Sequence, residues 1–164
     1  MQPMIEGLHR LGVRQRAGSK PRCHAMTGGR CDSVASRLTE LIEPHGTVSP
    51  ADHWMPQGFD VLDEAELHSA VRLLNGDVCR RLQNWWLAVP HARAKTPNFD
   101  IASTCTIEGR RGLLLVEAKA HAQELDKERA GKPLSIDVER GKPSKAAQDN
   151  HDRIGAAIEE DSAA

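Results

Sequence analysis

Apolar and polar positions alternate most regularly over Phe99–Ile107, which predicts a β-strand with one buried face. A second run, Gly112–Ala120, is apolar at almost every position as far as Glu117, which predicts a central strand covered on both faces. The segment between them, Glu108–Gly112, has the length and the glycine content of a hairpin connection. The pattern therefore predicts two antiparallel strands joined by a short turn.

Helical spacing of apolar residues predicts three helices elsewhere in the chain. They cover approximately residues 32–43, 61–74 and 144–160, and each starts beside a residue that can cap it. The candidate caps are Asp32 or Ser33, Asp60 or Asp63, and Ser144.

Three further segments complete the predicted organisation. The run Trp85–Val89 is typical of a short strand closed by the proline that follows it, and the charged, Gly- and Pro-containing residues 126–143 predict a loop or lid. Residues 1–30 hold six Arg or Lys and one Glu, with few apolar residues, which favours a flexible tail or a translated leader over a basic arm that touches phosphates. We expect residues 1–48 to form a basic N-terminal segment with one short helix, and residues 49–164 to form the folded domain.

Composition narrows the class of protein. The 164 residues are 39% hydrophobic and 27% charged, with a net charge of -1, as in a globular protein with one modest core. This near-neutral net charge does not favour a protein that coats nucleic acid. It does not exclude a nuclease, because a metal site supplies its own local positive charge. The chain has few aromatic residues, with three Trp, two Phe and no Tyr, so we do not expect it to bind nucleic acid by stacking bases on an aromatic surface. Four cysteines without C-x-x-C spacing, and the lack of a signal-like apolar start, lead us to expect free thiols and a cytoplasmic location away from membranes.

Asp100, Glu117 and Lys119 carry the candidate chemistry. In an antiparallel hairpin the start of the first strand meets the end of the second, so the two carboxylates can share a hard cation such as Mg²⁺ or Mn²⁺. Two positions apart on a strand, Glu117 and Lys119 project from one face, and His121 would follow them there as a phosphate or water contact. Lys119 suits positioning and charge stabilisation better than general-base work, because neighbouring carboxylates hold its proton. The alternative is a Glu–Lys pair in solvent at a strand end, which contributes little to stability.

Asp100, followed after an apolar strand by Glu117-Ala118-Lys119, resembles the motif of the PD-(D/E)xK nuclease superfamily, the restriction-endonuclease-like fold. The sequence PNFDIASTC…GLLLVEAKAH is similar to sequences of a group of bacterial proteins within this superfamily. The resemblance implies a mixed α/β (α+β) core, a small central mixed sheet flanked by helices. It also implies that Asp100 and Glu117 are metal ligands and that Lys119 is the catalytic lysine. Some members add an acid from the first helix, for which Glu64 is preferred here to Glu66, although both acids also suit the first turn of any helix.

The resemblance implies a Mg²⁺-dependent endonuclease that hydrolyses phosphodiester bonds, with DNA favoured over RNA. The family core continues with a strand after the last helix, and the printed chain stops at Ala164, so we expect a member shortened at its C-terminus. Cleavage of both strands of a duplex needs two sites or two events, which makes a dimer one expectation. The alternative is a degenerate nuclease fold that binds nucleic acid or protein without cleaving.

Overall fold

The computed structural model describes residues 7–66, 69, 73–89, 96–121 and 141–162. Within these residues the fold is mixed α/β, with four α-helices and two small antiparallel sheets, which confirms the predicted class at this coarse level. The helices are α1 (Lys20–Thr27), α2 (Cys31–Glu40), α3 (Gly76–Trp86) and α4 (Lys145–Ser162). The strands are β1 (Gly46–Thr47), β2 (Trp54–Met55), β3 (Ala65–Glu66), β4 (Asn98–Phe99), β5 (Ile101–Ile107) and β6 (Arg110–Val116).

These elements divide into two compact units, each built from two separate stretches of the sequence. Unit 1 contains the described residues up to Ala65 and those from Asn98 to residue 121. Unit 2 contains the described residues from Glu66 to Pro97 and from residue 141 onwards. The division does not follow the expected boundary at residue 48, because β1 and β2 lie on either side of that position and both pair with β5.

Strand β5 is the centre of the larger sheet. It pairs antiparallel with β6 from Ile101↔Val116 to Ile107↔Arg110, so the predicted hairpin is confirmed. Its other edge pairs with β1 and β2, which lie along it one after the other. The covered central strand is therefore β5 and not β6, as the burial of every residue from Ile101 to Cys105 also shows. Among the described strands β6 pairs only with β5, and its Leu115 keeps 37% of its surface exposed.

The turn of this hairpin is shorter than the sequence pattern predicts. Glu108 and Gly109 are its two central residues, with φ angles of 49° and 75°. Two positive φ values match the right-handed twist of the flanking strands, as in the tight turns that join antiparallel pairs. Arg110 and Arg111 consequently belong to β6 and not to the connection.

The core of unit 1 forms between helix α2 and this sheet. Val34 and Leu38, four residues apart on α2, are fully buried in a cluster that includes Trp54 and Ile101. The helix predicted over residues 32–43 is confirmed, but it ends at Glu40. The Thr39 hydroxyl then binds both the N–H and the C=O of Val48, at 2.9 and 3.2 Å, and so ties the helix end to the chain between β1 and β2.

The basic N-terminal segment contains a helix that the sequence pattern did not predict. Helix α1 begins with Pro21 in its first turn, a position where the missing N–H of proline has no cost. Cys23, His24 and Thr27 on this helix are buried, so the residues expected to form a flexible tail contribute to the core of unit 1. The sequence pattern does not show this role, because only part of one face of this short helix is buried and the neighbouring residues are polar or basic.

Two predicted elements between the sheet segments are wrong. Val61 forms a bridge with Gln57 and Ala65 starts β3, so the helix predicted over residues 61–74 does not form at its start. Residues 67, 68 and 70–72 of that range lie outside the described residues. Helix α3 begins later, where the Asn75 side chain accepts the N–H of Val78 at 2.9 Å. It continues through Trp85 and Trp86, whose strand propensity is outweighed by the helix already under way.

Helix α4 is confirmed where the pattern placed it. The Ser144 hydroxyl accepts the Ala147 N–H at 3.2 Å, as expected of the cap. Within unit 2 the buried Asn150 side chain binds the N–H and the C=O of Val89 at 2.7 and 3.0 Å, and thus fixes the chain after α3 against α4. Over the described residues no helix is both long enough and apolar enough to cross a lipid bilayer.

Candidate functional site

The open end of the β5–β6 hairpin brings Asp100 and Glu117 together. The last residue pair of the two strands is Ile101↔Val116, and these acids are the next residues on either side. The Asp100 Oδ2 atom accepts the backbone N–H of Ala118 at 2.8 Å. This hydrogen bond holds the Asp100 carboxylate against the Glu117–Ala118 peptide.

Glu117 and Lys119 form an ion pair beyond the end of β6. The Lys119 ammonium contacts Glu117 Oε1 directly, and the lysine side chain is only 17% exposed. Strand alternation does not produce this pair, because β6 ends at Val116. For the same reason the predicted alignment of His121 with Lys119 on one strand face does not arise. His121 is exposed, and its side chain has no hydrogen bond or ion pair among the described residues.

Glu64 reaches the same region from a different element than the predicted helix. It lies one residue before β3, and its Oε1 atom accepts the Lys20 ammonium of α1 at 2.5 Å. Its Oε2 atom accepts the side-chain amide of Asn98, the first residue of β4. The Lys20 and Glu64 side chains are 25% and 22% exposed, so this pair is shielded from solvent on most sides.

The Cys23 thiol lies within electrostatic range of all three acids. This thiol on α1 is 5% exposed. Burial raises its pKa to about 11, and the negative charges of Asp100, Glu64 and Glu117 add to the increase. Acids from two distant parts of the sequence, one before β3 and two at the open end of the hairpin, therefore act on the same buried thiol.

Sequence reasoning missed two residues of this site, Lys20 and Cys23. Both belong to α1 and lie three positions apart, so they share a helix face. The basic composition of the first 30 residues gave no reason to place this face in the core. Of the two, only Cys23 could have been predicted to be buried, because a free cysteine is more often buried than exposed.

The carboxylates differ in the oxygen atoms they leave open. Glu64 uses both oxygens, on Lys20 and Asn98. Asp100 Oδ1 and Glu117 Oε2 have no hydrogen-bond partner in the part of the chain that the structure describes. Among the described residues no three or more His, Cys, Asp or Glu side chains form a group that could hold a metal ion, so Glu64 does not complete a three-ligand set with Asp100 and Glu117 in this arrangement. Oxygen donors from a couple of carboxylates nevertheless fit Mg²⁺, which keeps several waters in most protein sites.

Three comparisons of this chain with known proteins gave no match. They covered protein-family models, curated proteins and solved structures. The functional proposal therefore stands on the geometry of Asp100, Glu117, Lys119 and Glu64, together with the motif resemblance.

Proposed function

We propose that this chain is a Mg²⁺-dependent nuclease that hydrolyses phosphodiester bonds of nucleic acid. The observation that carries the proposal is the 2.8 Å hydrogen bond from Ala118 N–H to Asp100, which gathers two acids and a lysine at one strand end. The same residues carry the resemblance to the PD-(D/E)xK superfamily and its restriction-endonuclease-like fold. DNA is the proposed substrate on the strength of that resemblance.

Asp100 and Glu117 would hold the ion through their open oxygens, and Glu64 would join them only after its Oε1 atom is released from Lys20. When bound, the ion lowers the pKa of a water and stabilises negative charge on the phosphate. The Lys119 side chain is paired with Glu117, so the role proposed for it is to orient the attacking water or to stabilise charge in the transition state. His121 remains a candidate contact to phosphate or water from the exposed side.

Lys20 adds a second ammonium group to this mechanism. It occupies Glu64 Oε1 at 2.5 Å, which is one of the oxygens that a cation would use. A cation at Glu64 would displace Lys20 and leave it available to the negatively charged phosphate of the substrate. The proposed site thus contains two lysines, each paired with a carboxylate before substrate binds.

The test is a cleavage assay on plasmid, linear and single-stranded DNA with Mg²⁺ or Mn²⁺. We expect Asp100→Asn and Lys119→Ala each to reduce cleavage by at least about a hundredfold, the loss typical of removing one preorganised charge or donor. The matched control is Arg110→Ala, which removes an exposed cation at the closed end of the same hairpin. Cleavage that survives in Asp100→Asn, or falls equally in the control, would refute the assignment.

A binding module without catalysis is the second candidate, and one observation favours it. Glu64 and Glu117 are each neutralised by a lysine, so the site balances much of its own charge without a cation. Thermal unfolding with and without millimolar Mg²⁺ separates the candidates. An ion present at 100 times its Kd stabilises the folded state by about 2.7 kcal/mol, whereas a module that needs no ion shows no shift.

A further inference from the structure

Unit 1 contains a second candidate site, a cavity of about 470 Å³ beside Phe59. We refer to it as the Phe59 cavity. Its walls come from the first described residues, the end of α1 and the turn around Phe59, and none of the acids of the nuclease site lines it. The volume falls within the about 300–1,000 Å³ of small-molecule and cofactor sites.

Hydrogen bonds and a glycine contact fix the wall of this cavity. His24 Nδ1 lies 2.8 Å from the carbonyl oxygen of Gly58, and Thr27 Oγ1 accepts the Gly58 N–H at 3.3 Å. Gly58 has a φ of 58°, and a Cβ there would come within 2.6 Å of the Gly28 Cα. Only glycine permits this backbone approach, so the turn is held against the end of α1 in one arrangement.

His24 offers the wall of the cavity a polar ring atom. The residue is 1% exposed, and its Nδ1 must carry the proton to donate to the Gly58 carbonyl. Nε2 is then an acceptor in the neutral ring, and it has no hydrogen-bond partner among the described residues. An acceptor without a protein partner at the cavity wall suits a ligand that brings an N–H or O–H group. The Phe59 ring lies beside the imidazole, with ring centroids 5.4 Å apart.

Arg10 and His9 give the mouth of the cavity a different chemistry. Arg10 Nη1 donates to the Phe59 carbonyl at 3.2 Å and contacts Asp60, so the guanidinium is anchored at one corner. Its Nε and Nη2 atoms have no partner in the described part of the chain. These two donors form the planar fork that binds phosphate oxygens in pairs. The exposed His9 lines the same cavity, and its imidazole is likewise without a described partner.

We propose that the Phe59 cavity binds a nucleotide. Arg10 and His9 would take the phosphate, the heterocycle would lie along the Phe59 ring, and a base N–H would donate to Nε2 of His24. A free nucleotide and the phosphorylated end of a nucleic-acid strand share this chemistry. The proposal does not depend on cleavage, since binding at this cavity needs neither the metal nor the acids of the nuclease site.

The experiment is calorimetric titration in EDTA with adenosine 5′-monophosphate, adenosine and inorganic phosphate. We expect the nucleotide to bind at least about tenfold more tightly than adenosine or phosphate, because only it uses both ends of the cavity. Arg10→Gln should weaken nucleotide binding at least about tenfold, the loss expected for a charge-assisted hydrogen bond. Arg14→Gln is the matched control, because Arg14 is an exposed cation of the same segment outside the cavity, and its effect should stay within about twofold.

His24→Asn tests the base end, because the asparagine amide can still donate to Gly58 while Nε2 is removed. If this variant does not fold, Arg10→Gln still decides, since Arg10 is exposed. Absence of nucleotide binding, equal binding of inorganic phosphate, or equal losses in the Arg10 and Arg14 variants would overturn the proposal. Competition by a 5′-phosphorylated oligonucleotide, but not by its 5′-hydroxyl form, supports a strand end as the source. Failure of both oligonucleotides to compete with a bound nucleotide supports the free nucleotide.

Discussion

Replacing Lys20 by Gln should increase the affinity of the protein for Mg²⁺. The Lys20 ammonium lies 2.5 Å from Glu64 Oε1, and both side chains are about one-quarter exposed. A cation that uses Glu64 has to displace this ammonium first. Glutamine has a similar length and carries no charge, so it leaves the carboxylate available at a lower cost.

The size of the effect follows from the shielding of this pair. A fully exposed ion pair contributes about 0.2–1 kcal/mol, and a hydrogen bond to a charged group about 1.5–3 kcal/mol. With side chains 25% and 22% exposed, the Lys20–Glu64 pair belongs between these ranges. We take about 1.4 kcal/mol, which corresponds to a tenfold change in Mg²⁺ affinity. The same substitution should weaken folding by a similar amount, because Glu64 loses its partner.

The assay is a Mg²⁺ titration of each variant, read from the unfolding temperature. Arg22→Gln is the control: it removes one positive charge from the same helix at an exposed side chain without a described partner. A general electrostatic effect would strengthen Mg²⁺ binding equally in both variants. Unchanged or weaker binding in Lys20→Gln would show that Glu64 is not a ligand and would refute the reasoning.

Two further predictions concern a titrating carboxylate and the thiols. Burial raises the pKa of Asp52, but hydrogen bonds from Thr104 and Ser49 outweigh it and bring the pKa below the usual 3.8. The charged Asp52 carboxylate therefore stabilises the folded state above about pH 4, and this stabilisation is lost below it. Thr104→Val should lower the free energy of unfolding in urea by about 1–2 kcal/mol near pH 7 and by less near pH 3. An equal loss at the two pH values would contradict this. Iodoacetamide should modify the exposed Cys31 of the native protein at neutral pH and spare Cys23, whose pKa is about 11; peptide mass mapping checks this, and comparable rates would disprove the burial.

Elements with a strong local signal could be predicted from the sequence. The β5–β6 hairpin has apolar strands on both sides of a glycine-containing turn, and α4 follows a serine cap. Helix α2 shows the same agreement, because Val34 and Leu38 repeat at helical spacing. In each case the residues that decide the element lie within a few positions of one another, so the pattern contains the information.

Elements that depend on distant partners could not be predicted. Strands β1 and β2 contribute two residues each and exist only because β5 supplies the facing hydrogen bonds. The acids before β3 resembled the first turn of a helix, yet Glu64 instead meets Lys20 from another part of the chain. The candidate site divides in the same way: the meeting of Asp100 and Glu117 follows from the hairpin. The Glu117–Lys119 pair forms beyond the end of β6, and Lys20 and Cys23 require the tertiary packing of α1.

The pairing of β1 and β2 with β5 also determines when unit 1 can fold during synthesis on the ribosome. Each of these strands meets its partner roughly fifty to sixty residues later in the chain, so the contacts are among the slowest to form. Until β5 emerges, Val34, Leu38 and Trp54 have no sheet to cover them. A nascent chain that pauses before Asn98 would therefore expose an incomplete core, which makes this interval the point at which a chaperone would have the most to protect.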